Sequence, residues 1–334
     1  MFSRESIYKF FKKNLSTNYY YYQSSFNLWN MLLWNIIFPG RLLSRLKGKT
    51  LFKKKFNQDL YENINLKKNR EIYEELSENG CVVIDKYFSV DLIDEFKREY
   101  NKEIENIKKN TNQHCCSIIP IKKCLIDLWL DMNLMNIITN MSSQNLVARN
   151  YPTIAYSTNF EDQKNTKQKV ELFKNQRSKF ADDWHIDHSN LFNVHILLED
   201  VDKEDLCMQY LAKTHKKLNQ TMLFSDEEIE RSGGEIKNCY GKKGTVYIHY
   251  GNTVHRMRAK KNSSRLQLHL EFTSLTNVLL NSENIAKCLS DNFKLNELTE
   301  AQKKICRSIF PEMSALKGYD FKNGEYKLSK KSVI

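Results

Sequence analysis

The sequence predicts a mainly β fold, a sandwich or barrel, flanked in the chain by helices. From Trp184 onward, short runs rich in strand-forming residues alternate with turn-rich segments such as residues 232–234. The 334 residues are 41% hydrophobic, which is enough apolar material for one main β domain with extensions. The predicted strands of this region are residues 194–198, 207–211, 245–249 and 266–272.

The last of these runs alternates apolar and polar residues, as a strand with two different faces does. Because neighbouring side chains of a strand point in opposite directions, we expect one face to be buried and the other to meet solvent. The residues on the expected buried face are Leu266, Leu268, Leu270 and Phe272, and those on the expected wet face are Gln267, His269 and Glu271.

A helix, a strand and a second helix are predicted ahead of the β region. Residues 66–79 have a helical pattern that Gly80 ends, and the apolar run 81–84 follows as a strand. Ser89 is a preferred helix-capping residue, and the helix that it starts is expected to continue to about residue 108.

The chain after the β region turns helical again. Thr299 and Gln302 have the spacing of a capping box, and the helix that they open must end near Pro311. We therefore divide the chain into an N-terminal arm (residues 1–56), a β domain (57–280) and a helical C-terminal extension (281–334). A polar stretch ahead of Trp184, residues 157–178, is either a lid or a solvated loop.

Positive charge is concentrated in the arm. Residues 1–55 contain eleven Lys and Arg against the single acid Glu5, which accounts for +10 of the formal +12. The rest of the chain is nearly neutral, so a nucleic-acid partner is not expected. Residues 26–38 form an apolar helical pattern, but thirteen residues are fewer than the roughly 20 that cross a bilayer.

Two interpretations of the arm stay open. Its short amphipathic helices either lie on an anionic membrane surface or pack on the domain as a cap. The eight cysteines are dispersed without a C-x-x-C pair, as in proteins with reduced thiols. We expect a cytoplasmic location, with peripheral membrane attachment if the arm binds lipid.

A candidate iron site lies at the start of the β region. Iron(II) oxygenases use two His and one carboxylate on one face of the metal, which leaves three positions open. His185 and Asp187 are two residues apart, so on a strand both side chains point the same way. The third ligand, His255, follows after 67 intervening residues, in a segment that resembles a turn.

A cation that suits a dicarboxylate follows His255. Arg265 stands ten residues later, at the head of the last predicted strand. A guanidinium binds a carboxylate through two parallel hydrogen bonds, which Lys cannot do. Arg265 is thus the expected anchor for the distal carboxylate of 2-oxoglutarate, and Arg258 is the nearest rival.

These residues lie in segments that resemble the phytanoyl-CoA dioxygenase family. The matching segments are WHIDH, LFNVHILLEDVDKEDLCMQYLAKTHKK and GTVYIHYGNTVHRMRAKKNSSRLQLHLEFT, with SENGCVVIDKYFSVDLIDEF resembling the N-terminal strand and helix. The resemblance covers about residues 66–278 and implies a double-stranded β-helix, a jelly-roll or cupin-like barrel. The sequence departs from the family pattern at Leu206 and at residues 212–214, which lie beside a turn.

The resemblance also implies the chemistry. It makes His185, Asp187 and His255 the iron(II) ligands and Arg265 the 2-oxoglutarate anchor, with O₂ as the other co-substrate. The expected activity is oxidation, usually hydroxylation, of a C–H bond in a small organic or lipid-like substrate, with release of succinate and CO₂. The alternative is a non-catalytic β scaffold that binds a membrane surface or a partner through its basic arm.

Overall fold

The computed structural model describes residues 69–109, 114–141, 146–149, 152–158, 184–187, 191–216, 223–258, 263–274 and 298–309. The predictions for the arm and for residues 281–297 and 310–334 lie outside these ranges. So does most of the polar stretch 157–178, of which only residues 157 and 158 are described.

Seven α-helices flank the strands of the described chain. They are α1 (Arg70–Asn79), α2 (Val90–Glu99), α3 (Asn101–Lys109), α4 (Lys123–Trp129), α5 (Met132–Met141), α6 (Asp226–Ser232) and α7 (Glu300–Ile309). A short 3-10 helix covers Thr214–Lys216.

Twelve strands are described, and all of their pairings are antiparallel. They are β1 (Cys81–Ile84), β2 (His114–Ile118), β3 (Leu146–Ala148), β4 (Thr153–Thr158), β5 (Trp184–His185), β6 (Leu191–Leu197), β7 (Cys207–Leu211), β8 (Leu223–Phe224), β9 (Ile236–Cys239), β10 (Val246–Tyr250), β11 (His255–Arg258) and β12 (Ser264–Ser274).

The strands form two sheets that face each other. The larger has the order β1-β10-β6-β12-β4-β2, with β3 also paired to β12, and the smaller has the order β8-β5-β11-β7-β9. A buried cluster joins them, with Leu197 and Tyr247 from the larger sheet against Met208 and Tyr210 from the smaller. This arrangement is the predicted double-stranded β-helix with flanking helices.

The outer face of the larger sheet carries the main hydrophobic core. Alternate apolar residues of β6, β10 and β12, such as Ile196, Ile248 and Leu268, pack there with buried residues of the helices. Full burial of one such aliphatic side chain contributes roughly 1.5–3 kcal/mol. The helices therefore close one side of the sheet and leave its other side to face the smaller sheet.

The prediction of a wet face on β12 is wrong. Gln267 is 2% exposed, because the polar residues of β12 point between the two sheets and not toward open solvent. We call the side of the larger sheet that faces the smaller sheet its inner face. Alternation alone cannot distinguish a polar barrel interior from a solvated surface, since both give the same period of two.

Local signals at the helix ends were more reliable. Gly80 ends α1 with φ of +84°, a left-handed conformation that favours glycine. The Ser89 side chain accepts a hydrogen bond from the backbone N–H of Leu92, as predicted, but the helix breaks at Tyr100 and resumes as α3. The Tyr100 hydroxyl donates to the carbonyl of Pro120, so that side chain is held between elements.

The described part of the C-terminal extension packs on the same core as the β domain. The backbone N–H of Gln302 donates to Thr299 Oγ1 at 3.1 Å, and the Thr299 N–H donates to Gln302 Oε1 at 3.1 Å, so the predicted capping box is present. Ile305 and Cys306 of α7 are fully buried in the main core. In the ranges that the structure describes, no helix is long and apolar enough to cross a membrane.

Candidate metal centre

Three of the sequence-predicted residues meet between the sheets. His185, Asp187 and His255 each offer one ligand atom, and these atoms all lie within 4.8 Å of one another. The Asp187 carboxylate is 3.9 Å from His185 Nε2 through Oδ1 and 3.7 Å from His255 Nε2 through Oδ2. The carboxylate therefore lies between the two imidazoles.

The strand pairing of the smaller sheet explains this meeting. His185 in β5 is the direct register partner of His255 in β11. His255 is the first residue of that strand, so its predicted place in a turn was wrong. Asp187 lies just beyond β5, where its backbone N–H donates to the carbonyl of Gly251 at 2.7 Å. His185 and Asp187 thus lie close together, as their i, i+2 spacing predicts, although only His185 lies in the regular strand.

Burial keeps the His255 imidazole neutral, the form that can bind a metal. Its Nδ1 lies 2.9 Å from the Thr253 carbonyl, which can only accept, so the ring proton is on Nδ1 and Nε2 has a free lone pair. Burial lowers the pKa of His255 to about 4, and the nearby Asp187 carboxylate only partly offsets this. The ring is therefore neutral near pH 7, and neutral imidazole is the form that binds metals.

Arg265 lies on the inner face of the larger sheet and is 4% exposed. Its Nη1 donates to the hydroxyl of Tyr247 at 3.2 Å, and that hydroxyl donates to Gln267 Oε1 at 2.6 Å. Its Nε is buried and has no hydrogen-bond partner in the described part of the chain, where no carboxylate forms an ion pair with Arg265 either. A buried guanidinium is costly without a counter-charge, so this position is suited to an anionic group.

Arg258, the rival cation, lies on the other side of β11. His255 and Met257 are buried, whereas Arg256 and Arg258 are partly exposed, as strand alternation requires. Arg256 Cζ lies 4.4 Å from the centroid of the Trp184 ring, on the side of the smaller sheet away from the interior. Arg258 shares that side and is not directed at the three candidate ligands.

Two buried histidines, His195 and His249, and the half-buried His269 adjoin the candidate centre, and all three were interpreted from the sequence as structural. His195 stacks between Tyr247 and His269, with ring centroids at 4.5 and 4.3 Å. His249 lies 4.5 Å from His255, ring to ring. The period of two along β12 puts His269 on the same face of the strand as Arg265. The sequence does not show the cross-strand register that brings His195 and His249 to that face.

Asn193 was also missed. It is 3% exposed, and its side-chain amide donates to Asp187 Oδ2. His188, which the sequence placed beside the motif, lies outside the described residues.

The residues present fit a divalent iron ion and a dicarboxylate. Two imidazole nitrogens and one carboxylate form the donor set of the facial triad, and one of the rings has its free nitrogen turned to the carboxylate. Arg265 Nε, which is buried with no hydrogen-bond partner among the described residues, is the donor that fits a carboxylate of the dicarboxylate.

Several solved structures are similar to the chain, each with a TM-score below one half. They include the epimerase SnoN in complex with Fe³⁺, alpha ketoglutarate and nogalamycin RO (12% identity, 63% of this chain, 85% of that chain, TM-score 0.45). HygX from Streptomyces hygroscopicus with nickel and 2-oxoglutarate bound has 14% identity over 62% of this chain and 87% of that chain, with a TM-score of 0.45. EctD from S. alaskensis with bound Fe has 13% identity over 62% of this chain and 77% of that chain, with a TM-score of 0.46.

No curated protein matches the sequence. The family model described as Phytanoyl-CoA dioxygenase (PhyH) matches residues 76–265, more than half of the chain. The chain therefore belongs to the phytanoyl-CoA dioxygenase family, and the general class of its activity is that of a non-haem iron, 2-oxoglutarate-dependent oxygenase.

Proposed function

We propose that the protein is a dioxygenase in which His185, Asp187 and His255 hold iron(II) and Arg265 anchors 2-oxoglutarate. It oxidises a C–H bond of a small substrate, by hydroxylation in the simplest case, and releases succinate and CO₂. One observation carries this proposal: two imidazole nitrogens and a carboxylate oxygen lie within 4.8 Å of one another, on a barrel interior that also holds a buried guanidinium with no ion pair to any described carboxylate.

When bound at these residues, iron and 2-oxoglutarate would supply the chemistry that activates O₂ and couples loss of CO₂ from the 2-oxo acid to substrate oxidation. The protein's own residues bind, orient and exclude water. Arg265 offers its fork of N–H donors to a carboxylate, while Tyr247 holds one arm of that fork. Tyr247 belongs to a buried apolar cluster with Met208 and Leu197, and such low-dielectric surroundings strengthen the charge pairing.

The described wall around the candidate centre supports a polar substrate over the lipid-like one. The side chains that keep partial access to solvent there are His185 (14%), Asp187 (29%), His269 (19%), Glu271 (18%) and Arg149 (21%). All five are polar or charged, and a small molecule with hydroxyl or amino groups can add hydrogen bonds to such a wall, which an acyl chain cannot do.

The test is the visible charge-transfer band of a 2-oxo acid chelated to iron(II), recorded without O₂. The purified protein is expected to bind about one Fe(II) and to develop the band when 2-oxoglutarate is added. His185→Ala and His255→Ala should each abolish the band. His215→Gln is the matched control, because His215 stacks on Tyr250 and contacts the Ser77 carbonyl outside the barrel interior.

Retention of both iron and 2-oxoglutarate binding by the two alanine variants would overturn the ligand assignment. Loss of the band in His215→Gln as strongly as in His255→Ala would also count against it, since the effect would then be one of fold stability. Circular dichroism of each variant reports that stability separately.

A further inference from the structure

A chain of polar side chains leads from Asp187 along the inner face of the larger sheet. It runs through Asn193, His269 and Glu271 to Arg149. We propose that Asn193 is a positioning residue that fixes the rotation of the Asp187 carboxylate, and that His269 and the Glu271–Arg149 pair hold Asn193 in place. The inference rests on the proposed function, in which Asp187 is an iron ligand.

Cross-strand register places Asn193 beside Asp187. Asn193 in β6 pairs with His249 of β10 on one side and with Glu271 of β12 on the other. It is therefore central in the sheet and 3% exposed, with its backbone held from both sides. Its Nδ2 donates to Asp187 Oδ2, the carboxylate oxygen that also lies nearer to His255. The donor thus comes from the more deeply buried of the two residues.

The orientation of the Asn193 amide follows from its partners. An ionised carboxylate only accepts hydrogen bonds, so the NH₂ group must face Asp187 and the amide oxygen must face the other way. That oxygen is 3.4 Å from His269 Nε2, which fits a hydrogen bond donated by the imidazole N–H. Each side of the amide therefore has a partner of the right kind, and a flipped amide would lose both bonds.

Glu271 and Arg149 complete the arrangement. His269 Nε2 lies 3.8 Å from Glu271 Oε1, and Arg149 Nη1 donates to Glu271 Oε2 at 3.0 Å. The backbone N–H of Arg149 also donates to the carbonyl of Glu271 at 2.9 Å. Asn193 Oδ1 and the Glu271 carboxylate thus both attract the N–H of His269. Arg149 in turn holds the Glu271 carboxylate through its other oxygen, Oε2.

Of the three candidate ligands, the Asp187 carboxylate is the one that most needs a neighbour to fix its orientation. It follows a two-residue strand, and its side chain is 29% exposed, the most of the three candidate ligands. A carboxylate at this position can rotate toward solvent. The free energy needed to order it would then make the free energy of metal binding less favourable. Partners that orient a ligand in this way typically change metal affinity by roughly 10–100-fold when they are removed.

The first test compares two buried asparagines. Asn193→Leu removes the donor to Asp187, whereas Asn136→Leu removes an equally buried amide from α5, which is 0% exposed and contacts Tyr73. We expect the apparent dissociation constant for Fe(II), measured anaerobically without 2-oxoglutarate, to rise at least about tenfold in Asn193→Leu and to stay unchanged in Asn136→Leu. Thermal unfolding of the metal-free proteins separates this effect from loss of stability.

The second test separates a hydrogen bond from packing at His269. Gln can donate to Asn193 Oδ1 as the imidazole does, and Leu cannot. His269→Leu should weaken Fe(II) binding, while His269→Gln should keep most of it. If Asn193→Leu does not fold, this pair decides, and equal Fe(II) affinity of both variants and the parent overturns the inference.

Unchanged Fe(II) affinity in a folded Asn193→Leu protein also overturns the inference. His255→Ala serves as the reference. If His255→Ala abolishes Fe(II) binding and Asn193→Leu leaves it intact, the proposed function stands and only the positioning role fails. If neither variant changes binding, it is the ligand assignment that fails.

Discussion

His185 and His255 are direct partners on neighbouring antiparallel strands, with ring centroids 4.3 Å apart. The chain between them forms β6 to β10, so the pair exists only when both sheets have assembled. The candidate centre is thus a product of the complete fold. A substitution that weakens the fold near β11 is therefore expected to disturb the centre as well.

Arg265→Leu is expected to weaken 2-oxoglutarate binding without affecting Fe(II) binding. Removal of one partner of a buried charge pair costs roughly 2–5 kcal/mol. This corresponds to at least about a 30-fold rise in the dissociation constant of 2-oxoglutarate. Titration of the anaerobic Fe(II) protein with 2-oxoglutarate measures it. Arg258→Leu is the matched control on the opposite side of the smaller sheet, and a larger effect there would move the anchor to Arg258.

Gly80→Ala is expected to destabilise the protein more than Gly233→Ala. Both glycines have positive φ, +84° and +60°, and both end a helix. A Cβ on Gly80 would lie 2.7 Å from Thr253 Oγ1 and closer still to His215 Nδ1, whereas one on Gly233 meets nothing within 4 Å.

Gly233→Ala therefore measures backbone strain alone, about 1 kcal/mol, and Gly80→Ala adds a clash, for a total of about 2–4 kcal/mol. Urea unfolding of both variants gives the two values. Because the Thr253 carbonyl orients His255, Gly80→Ala should also weaken Fe(II) binding. Equal destabilisation by the two substitutions would show that the space around Gly80 is not tight.

The buried imidazole of His195 should make stability fall with acid. Burial lowers the pKa of His195 well below its ordinary value of 6.5. The unfolded chain therefore takes up a proton below about pH 6.5 that the folded protein does not, so the contribution of His195 is complete above that pH and is lost as the pH falls. His195→Phe keeps a ring between Tyr247 and His269 but cannot take up a proton.

The metal-free His195→Phe variant should thus lose less stability than the parent between pH 7.5 and pH 5. Urea unfolding at the two pH values measures both losses, and the difference between the proteins isolates His195 from the other buried histidines. A steeper loss in the variant would mean that His195 is charged in the folded state.

The polar wall predicts which compounds stimulate turnover. Small hydroxylated or amino compounds should raise succinate release above the uncoupled background, and fatty acyl compounds should not. Arg149→Leu, assayed at saturating Fe(II) because Arg149 also belongs to the polar chain that leads to Asp187, should raise the KM for a stimulating compound more than the KM for 2-oxoglutarate. If only acyl compounds stimulate succinate release, the substrate is lipid-like and the polar-substrate prediction is wrong.

Local chemistry explains which parts could be predicted from the sequence. The left-handed Gly80, the Ser89 cap and the Thr299–Gln302 box each depend on a few adjacent residues, and all three are present. His255 was assigned to a turn because the segment GNTVHR that contains it resembles one, whereas the structure places it in the four-residue strand β11. Strands this short carry too few alternations to be recognised.

Pairing partners could not be predicted in the same way. Asn193 meets Asp187 through the register of β6 between β10 and β12, and that register is set by packing of the whole sheet. His195, His249 and His269 are ordinary strand residues in the sequence, and only sheet closure brings their rings together. The family resemblance supplied the candidate ligands and carried no information on these neighbours.

The basic arm gives the last prediction, which rests on the sequence alone. Residues 1–55 carry +10 of the formal +12 beside the apolar run 26–38. Each Lys or Arg near an anionic lipid surface contributes about 1 kcal/mol, and the attraction fades within a Debye length of about 10 Å at 0.1 M salt. If the arm lies on a membrane, the full chain should sediment with anionic vesicles at low salt and be released at high salt.

The matched variant keeps the chain intact and neutralises seven charges between residues 41 and 55. The replaced residues, each changed to Gln, are Arg41, Arg45, Lys47, Lys49, Lys53, Lys54 and Lys55. This variant should sediment at least tenfold less at low salt, whereas equal sedimentation of variant and parent would exclude the membrane interpretation. The cap interpretation predicts instead that the parent ignores vesicles at both salt concentrations. It also predicts that Trp29→Ser lowers the melting temperature, because a polar side chain would then replace a buried ring.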